Sequence, residues 1–333
     1  MESMELYDYR PAKRAYSRVG WSLCTILATS LVVQLALSLI IQLCWPDGCW
    51  LTTSSTGNWL LTFLPLYGIA IPAGILLLRG IPAQPPQRLS LGARGFWIFL
   101  PICFFLTYSG SIAGNLLSAL LSSGEAQNAL DEYAMDSNPI KILFIAVLAP
   151  LFEEYIFRKL LIDRTRAFGE KTAVFLSALT FGLFHTNLFQ FFYAFLVGWV
   201  FAYLYIRTGK LRYPVLMHSI INFTGSVVAP WILSLLDLEA LSSLDPNATN
   251  AEILEVYRQI LPGLALYLLY FLLVLGLFIA GLVLLILQRK RLIWHGSSLQ
   301  IPHKNRFRTV YCNAGMLVLL ILCATLTILS VLL

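Results

Sequence analysis

Long apolar stretches separated by short charged loops run along the whole chain. About nine of these stretches approach the length of roughly 20 residues that a helix needs to cross a bilayer. The predicted spans are 20–43, 60–78, 96–121, 140–162, 172–187, 188–206, 213–236, 262–287 and 311–333. The pattern therefore predicts an all-α fold, a polytopic bundle of transmembrane helices with a polar cavity among its core helices.

The loops between the spans alternate in charge. The segment before the first span and every second loop after it are rich in Lys and Arg, whereas the other loops are neutral or acidic. Because basic loops stay in the cytoplasm, we expect a multi-pass protein of the cell membrane with a cytoplasmic N-terminus and an outward C-terminus. The first apolar run is too long for a signal-peptide core and lacks a cleavage site, so we expect a retained helix.

Composition supports a membrane location and argues against nucleic-acid binding. Hydrophobic residues make up 58% of the chain and charged residues only 12%, against about a quarter in soluble domains. The net charge of +6 comes from short loops beside apolar spans, where orientation signals are expected. We therefore expect the lipid bilayer as a partner and no nucleic acid.

The order of the segments suggests three parts. Residues 1–138 hold the first three spans, 139–236 the core helices with polar residues, and 237–333 an acidic outer loop and the last two spans. Cys44 and Cys49 flank an outward turn, where a disulfide is one possibility and two free thiols the other.

Two adjacent carboxylates and an arginine interrupt the apolar span 140–162. In a helix, Glu154 and Arg158 lie one above the other and can form an ion pair, which leaves Glu153 on another side. A carboxylate left unpaired in low dielectric has a tunable proton affinity, as a general base needs. Pro150 would free the carbonyl of Ala146, which in lipid requires protein or water beside it and suggests a cavity. The alternative is a structural salt bridge at a helix end.

Histidines and an amide lie in two further spans. His218 and Asn222 are four residues apart and share a helix face, as do Phe181 and His185. Each histidine alone could be only a hydrogen-bond partner between helices. Together with Glu153, however, imidazole and amide groups can activate a water molecule and stabilise an oxyanion. No serine or cysteine has a comparable base partner, which favours attack by water over a covalent route.

These motifs resemble those of a known family. The motifs are Glu153-Glu154-x-x-x-Arg158, Phe181-x-x-x-His185 and His218-x-x-x-Asn222. They are similar to the three motifs of the CAAX protease and bacteriocin-processing (CPBP) intramembrane proteases, relatives of the type II prenyl-protein endopeptidase. The run 157–164 is similar to Gram-positive bacterial members, and the resemblance covers about 140–230.

The resemblance implies glutamate-dependent peptide hydrolysis without a metal or another cofactor. Glu153 with His185 would position and deprotonate the water. His218 with Asn222 would hold the oxyanion of the tetrahedral intermediate.

The resemblance also implies that Glu154 pairs with Arg158 and shapes the site. The chain departs from the family at Lys159, where members commonly have glycine, which puts the local packing or the substrate entrance in doubt. Depth raises a difficulty, because the predicted spans place Glu153 near the middle of the membrane and His185 closer to the outer side.

The expected function is an intramembrane endopeptidase that acts on a small or membrane-associated peptide or protein. An alternative is a non-catalytic scaffold, regulator or bacteriocin self-immunity protein on the same fold, although a scaffold has no need for an unpaired carboxylate in lipid. A small transporter would show paired broken helices, which are absent from the sequence pattern. The sequence indicates neither the substrate nor the oligomeric state.

A metal-assisted variant of the reaction is a further alternative. Glu153, His185 and His218 are residue types that bind zinc, although the sequence has no His-Glu-x-x-His helix. Inhibition by a chelator that added zinc reverses would favour the metal route.

Overall fold

The computed structural model describes residues 8–236 and 249–332, and the regular elements within these ranges are all helices. The predicted all-α fold is therefore confirmed. The acidic outer loop predicted at 237–255 lies largely outside the described residues.

The helices are numbered in chain order. They are α1 (Arg10–Cys44), α2 (Trp50–Thr53), α3 (Ser55–Leu77), α4 (Gly92–Leu121), α5 (Ala129–Met135), α6 (142–165), α7 (Glu170–Phe184), α8 (Leu188–Thr208), α9 (Arg212–Ser234), α10 (Asn250–Gln288), α11 (His303–Tyr311) and α12 (Ala314–Leu332). Helix α8 packs against both α4 and α7, and α1 packs against α12.

Seven helices in the described ranges are long and apolar enough to cross a membrane, namely α1, α3, α4, α8, α9, α10 and α12. The chain is thus a multi-pass membrane protein, but the predicted number of nine spans is not confirmed. The other two predicted spans form α6, which carries several charged residues, and α7, which has only 15 residues. At about 1.5 Å per residue, α7 is shorter than the roughly 30 Å hydrocarbon core.

Four π-helical segments interrupt these helices in the described residues, and three of them are followed by a proline. The pairs are Leu66–Ala70 before Pro72, Ile142–Leu148 before Pro150, and Thr224–Val228 before Pro230. Proline has no N–H, and its ring displaces the carbonyl four residues earlier, so a turn with one extra residue relieves the clash. The backbone is therefore widened in α3, α6 and α9, which all contribute to the walls of the polar cavity described below.

Loops that carry basic residues meet at the C-terminal end of α8, and we call this side of the bundle the basic face. The N–H of Leu89 donates to the carbonyl of Thr208 at 2.8 Å. The carboxylate of Glu170 binds the guanidinium of Arg207 and accepts the N–H of His295. These contacts hold three separate loops together at one face.

The opposite side, which we call the acidic face, lies at the start of α8. The carboxylate of Asp136 accepts hydrogen bonds from the Ser55 hydroxyl at 2.5 Å and the Trp59 indole at 2.7 Å. Asn187, which caps α8, also donates to Asn128. Helix α8 therefore runs from the acidic face to the basic face.

Large apolar side chains cover the outside of the bundle. Leu35 on α1 is 70% exposed, and Leu269 on α10 is 65% exposed. Such continuous apolar surface is typical of helices that face lipid. Inside the bundle, α4 and α8 touch at Gly110, where a Cβ atom would lie only 2.4 Å from the Tyr193 backbone.

Cys44 and Cys49 lie on either side of the turn that follows α1. Both are free thiols in the structure, so the disulfide considered from the sequence is not formed.

Candidate active site

A fully buried ion pair forms the base of the site. The Arg158 guanidinium Nε donates to Glu154 Oε2 at 2.8 Å, and neither side chain is exposed. Arg158 Nη1 also donates to the Ser177 hydroxyl at 2.6 Å, and the ring of Phe181 lies 4.8 Å from the guanidinium carbon. Because both charges are paired and hydrogen-bonded, Glu154 is held in place and is not available to the cavity.

His218 lies between the two adjacent carboxylates. Its Nδ1 is 3.1 Å from Glu154 Oε1, and its Nε2 is 3.7 Å from Glu153 Oε2. The imidazole stacks on Phe201 and meets the edge of Phe181, so aromatic rings fix its orientation. The 3.7 Å separation is longer than a direct hydrogen bond and leaves a position beside both atoms for a water molecule.

His185 is fixed through one ring nitrogen. Its Nδ1 lies 2.8 Å from the carbonyl of Phe181, and since a carbonyl only accepts, Nδ1 carries the hydrogen. In the neutral imidazole the other nitrogen, Nε2, is then a hydrogen-bond acceptor. His185 directly follows helix α7, whose 15 residues are too few to cross the hydrocarbon core of a bilayer. This explains how His185 and Glu153 reach the same cavity despite the depth difficulty raised by the sequence.

Asn222 binds the backbone of α6. Its Nδ2 donates to the carbonyl of Ile145 at 3.0 Å. In an α-helix Pro150 would leave the carbonyl of Ala146 without a donor. The π-helical turn, in which Ala149 donates to Phe144, shifts the position opposite Pro150 to Ile145. Asn222 therefore supplies the donor that the proline lacks. The second N–H of its side-chain amide is left for another acceptor.

The side chains of Glu153, His185, His218 and Asn222 line one cavity of about 160 Å³. The Glu153 side chain is 27% exposed, whereas that of Glu154 is fully buried. The structure thus brings together the four residues that the motifs single out. Within the cavity, Glu153 Oε2 lies 3.7 Å from His218 Nε2.

Some polar residues of the cavity, among them Gln190 and Tyr193, are not identified by the sequence motifs. Gln190 and Tyr193 both line the cavity, and the Tyr193 hydroxyl donates to Gln190 Oε1 at 3.3 Å. Their three-residue spacing in an apolar span places them on one helix face, which is the signal that could have identified them.

A second cavity, of about 210 Å³, adjoins the first. The two share Tyr193, Asn222 and Ser226 in their walls, and the second extends to Asn128 and Asp131 on the acidic face. A polar path therefore leads from the candidate site toward the acidic face.

Lys159, the residue that departs from the family pattern, points away from the site. Its Nζ forms an ion pair with Asp163 at 2.7 Å, and its side chain is 37% exposed. Over the ranges that the structure describes, no three His, Cys, Asp or Glu side chains are arranged to share a metal ion.

Comparison with known proteins agrees with the motifs. Residues 136–224 match the family model described as "Type II CAAX prenyl endopeptidase Rce1-like". This segment contains all the motif residues from Glu153 to Asn222, and it confirms the family resemblance predicted from the sequence.

Two relatives from Gram-positive bacteria are similar to the chain. YdiL of Bacillus subtilis (strain 168), named as a candidate membrane peptidase, is 30% identical over 159 residues, which cover 44% of this chain and 63% of the relative. The membrane-embedded CAAX protease MroQ of Staphylococcus aureus (strain USA300) is 35% identical over 120 residues, which cover 33% of this chain and 45% of the relative. The chain thus spans less than two thirds of either relative. No solved structure matches it significantly.

Proposed function

We propose that this chain is an intramembrane endopeptidase in which Glu153 activates a water molecule. The observation that carries the proposal is the contrast between two neighbouring carboxylates. Glu154 is locked by Arg158 and His218, whereas Glu153 faces a cavity that also contains His185 and Asn222. The similarity to membrane peptidases supports peptide hydrolysis at the level of the family.

In the proposed reaction, Glu153 takes a proton from the water molecule while the water oxygen attacks the peptide carbonyl carbon. His185 Nε2, held as an acceptor by the contact of Nδ1 with Phe181, orients the water through its second O–H. When the tetrahedral intermediate collapses, the carbon–nitrogen bond breaks and Glu153 returns the proton to the leaving amine.

The negative charge that develops on the substrate oxygen needs donors. Asn222 has a second N–H besides the one that binds Ile145, and His218 Nε2 faces the cavity beside Glu153 and donates whenever it carries a hydrogen. We propose that these two groups form the oxyanion site. Both are fixed before the substrate binds, which is what makes such donors effective.

The substrate class follows from the walls of the site. The cavity lies among membrane helices, and its polar extension leads to the acidic face. We propose that the substrate is a small or membrane-associated peptide that enters from this face.

The function is tested by comparing the membrane and secreted proteomes of cells that produce wild-type protein or Glu153→Gln. Glutamine is nearly isosteric but cannot accept the proton of water, so we expect a precursor to accumulate and its fragment to disappear. Glu125→Gln, which changes an exposed carboxylate outside the site, is the matched control.

The outcomes separate the competing functions. Full cleavage by Glu153→Gln would show that Glu153 is not the base. A cellular phenotype that survives Glu153→Gln, with no cleavage detectable in wild type, would favour a scaffold or immunity protein. Loss of cleavage with a chelator and its recovery with zinc would favour the metal route.

A further inference from the structure

A separate cavity of about 670 Å³ lies on the basic face, away from Glu153. It forms where α1 begins, where the loop after α3 passes and where α6 ends. Three arginines line it: Arg10, Arg14 and Arg164. A concentration of guanidinium groups in one concave site indicates an anionic ligand.

The acidic residues in the same walls are already paired. Asp8 accepts a hydrogen bond from Arg10 Nε at 3.0 Å. Asp163 is only 2% exposed and is bound by Lys159 at 2.7 Å and by the Tyr205 hydroxyl at 2.8 Å. These two carboxylates therefore do not compensate the remaining arginines of the cavity.

Arg14 and Arg164 have no acidic partner within the described part of the chain. Arg164 Nη1 donates to the Leu160 carbonyl at 3.1 Å, but its Nε is buried and has no hydrogen-bond partner. A buried charged donor without an acceptor is unfavourable. An anion in the cavity would instead balance the guanidinium charges of Arg14 and Arg164, which line it.

We propose that this cavity binds a phosphate group, either of an anionic phospholipid headgroup or of a free phosphate. Guanidinium groups match phosphate oxygens through paired, charge-assisted hydrogen bonds. Ile81, Phe168 and Leu299 give the cavity apolar walls beside the arginines, which suits the glycerol part of a lipid. Basic pockets between membrane helices commonly bind such headgroups.

The experiment measures thermal unfolding of the purified full chain in detergent as ligand is added. The probes are phosphatidylglycerol, phosphatidylcholine and inorganic phosphate. The variants are Arg14→Gln, the pair Arg14→Gln with Arg164→Gln, and the control pair Lys304→Gln with Arg308→Gln. The control removes the same charge from exposed positions on α11, outside the cavity.

We expect phosphatidylglycerol to stabilise wild type and the control pair, and the cavity pair to require on the order of tenfold more lipid. Stabilisation by inorganic phosphate as well would identify a general phosphate site, and its absence would identify a lipid site. Because Arg14 is exposed, Arg14→Gln alone carries the test if the pair does not fold. Equal stabilisation by phosphatidylcholine, or an equal loss in the control pair, would overturn the proposal. This readout does not depend on peptidase activity.

Discussion

Asn222 donates its side-chain N–H to the carbonyl of Ile145, 3.0 Å away and 77 residues earlier in the chain. The contact ties α9 to the widened turn of α6 next to Glu153. It also places the amide of Asn222 at the wall of the candidate site. One hydrogen bond thus links the backbone effect of Pro150 to the proposed oxyanion site.

Asn222→Ala is expected to lower turnover on the order of 10²-fold or more, because an oxyanion donor is lost. It should also destabilise the fold by about 1 to 3 kcal/mol, because the Ile145 carbonyl loses its donor. Peptide cleavage and thermal unfolding of the same samples measure the two effects.

Pro150→Ala provides the control for this prediction. Alanine restores a backbone N–H that can serve the free carbonyl of α6, so Asn222→Ala should cost less stability in that background. The loss of activity should remain. Fully additive effects on stability would show that Pro150 and Asn222 do not act on the same backbone position.

Arg158→Ala is expected to act mainly through folding. It leaves Glu154 as a buried charge without its partner, at a cost of about 3 to 5 kcal/mol. Arg258→Ala is the control, because its ion pair with Glu255 is exposed on both sides and should contribute little. Unfolding free energies and expression levels of the two variants test the difference. Similar values for both would contradict the role of the buried pair.

Stability at low pH should depend on Asp136. Although burial alone would raise its pKa, hydrogen bonds from Ser55, the N–H of Asn138 and Trp59 lower the pKa of this carboxyl below its ordinary value of 3.8. The contribution of ionised Asp136 to the free energy of unfolding is therefore fully present above pH 3.8 and decreases below it. It is lost once the pH falls through the folded-state pKa.

Asp136→Asn should lose this contribution, about 1 to 3 kcal/mol near neutral pH. Its stability should also fall less steeply than that of wild type below pH 3.8. Unfolding measured from pH 7 to pH 3 checks both statements, with Glu125→Gln as the exposed carboxylate control. An unchanged slope in Asp136→Asn would refute the assignment.

The orientation in the membrane is testable with thiol labelling of intact cells. Cys44 is an exposed native thiol. It ends helix α1, whose other end is Arg10. With the N-terminus in the cytoplasm, an impermeant maleimide should label Cys44 before lysis. It should label an introduced Lys210→Cys only after lysis. Cys44→Ser controls for labelling elsewhere, and the reverse pattern would show the opposite orientation.

The sequence predicted which residues meet at the cavity better than it predicted their mutual contacts. Motif spacing identified Glu153, Glu154 and Arg158 as one group and correctly placed Glu154 against Arg158, because an i to i+4 contact is local. The contact of His218 with both carboxylates joins residues more than 60 positions apart, which spacing within single helices does not determine.

The π-helical turns account for a second difference. Pro150 correctly predicted a backbone break, but the extra residue in the turn changed which carbonyl lacks a helical N–H donor, from that of Ala146 to that of Ile145. Register inside a helix depends on the helices packed around it, so apolar periodicity alone does not reveal it. The span count differs for a related reason, since the short helix α7 is covered by neighbours and need not reach both membrane surfaces.

The cavity of about 160 Å³ at Glu153 has room for a few water molecules but not for an extended peptide with its side chains. A substrate can therefore reach Glu153 only after the surrounding helices separate. In the proposed reaction, this narrow cavity would shield Glu153 from peptide bonds that are not the substrate's. Gate opening would then limit the rate of turnover, and selectivity would depend on which peptides can open it.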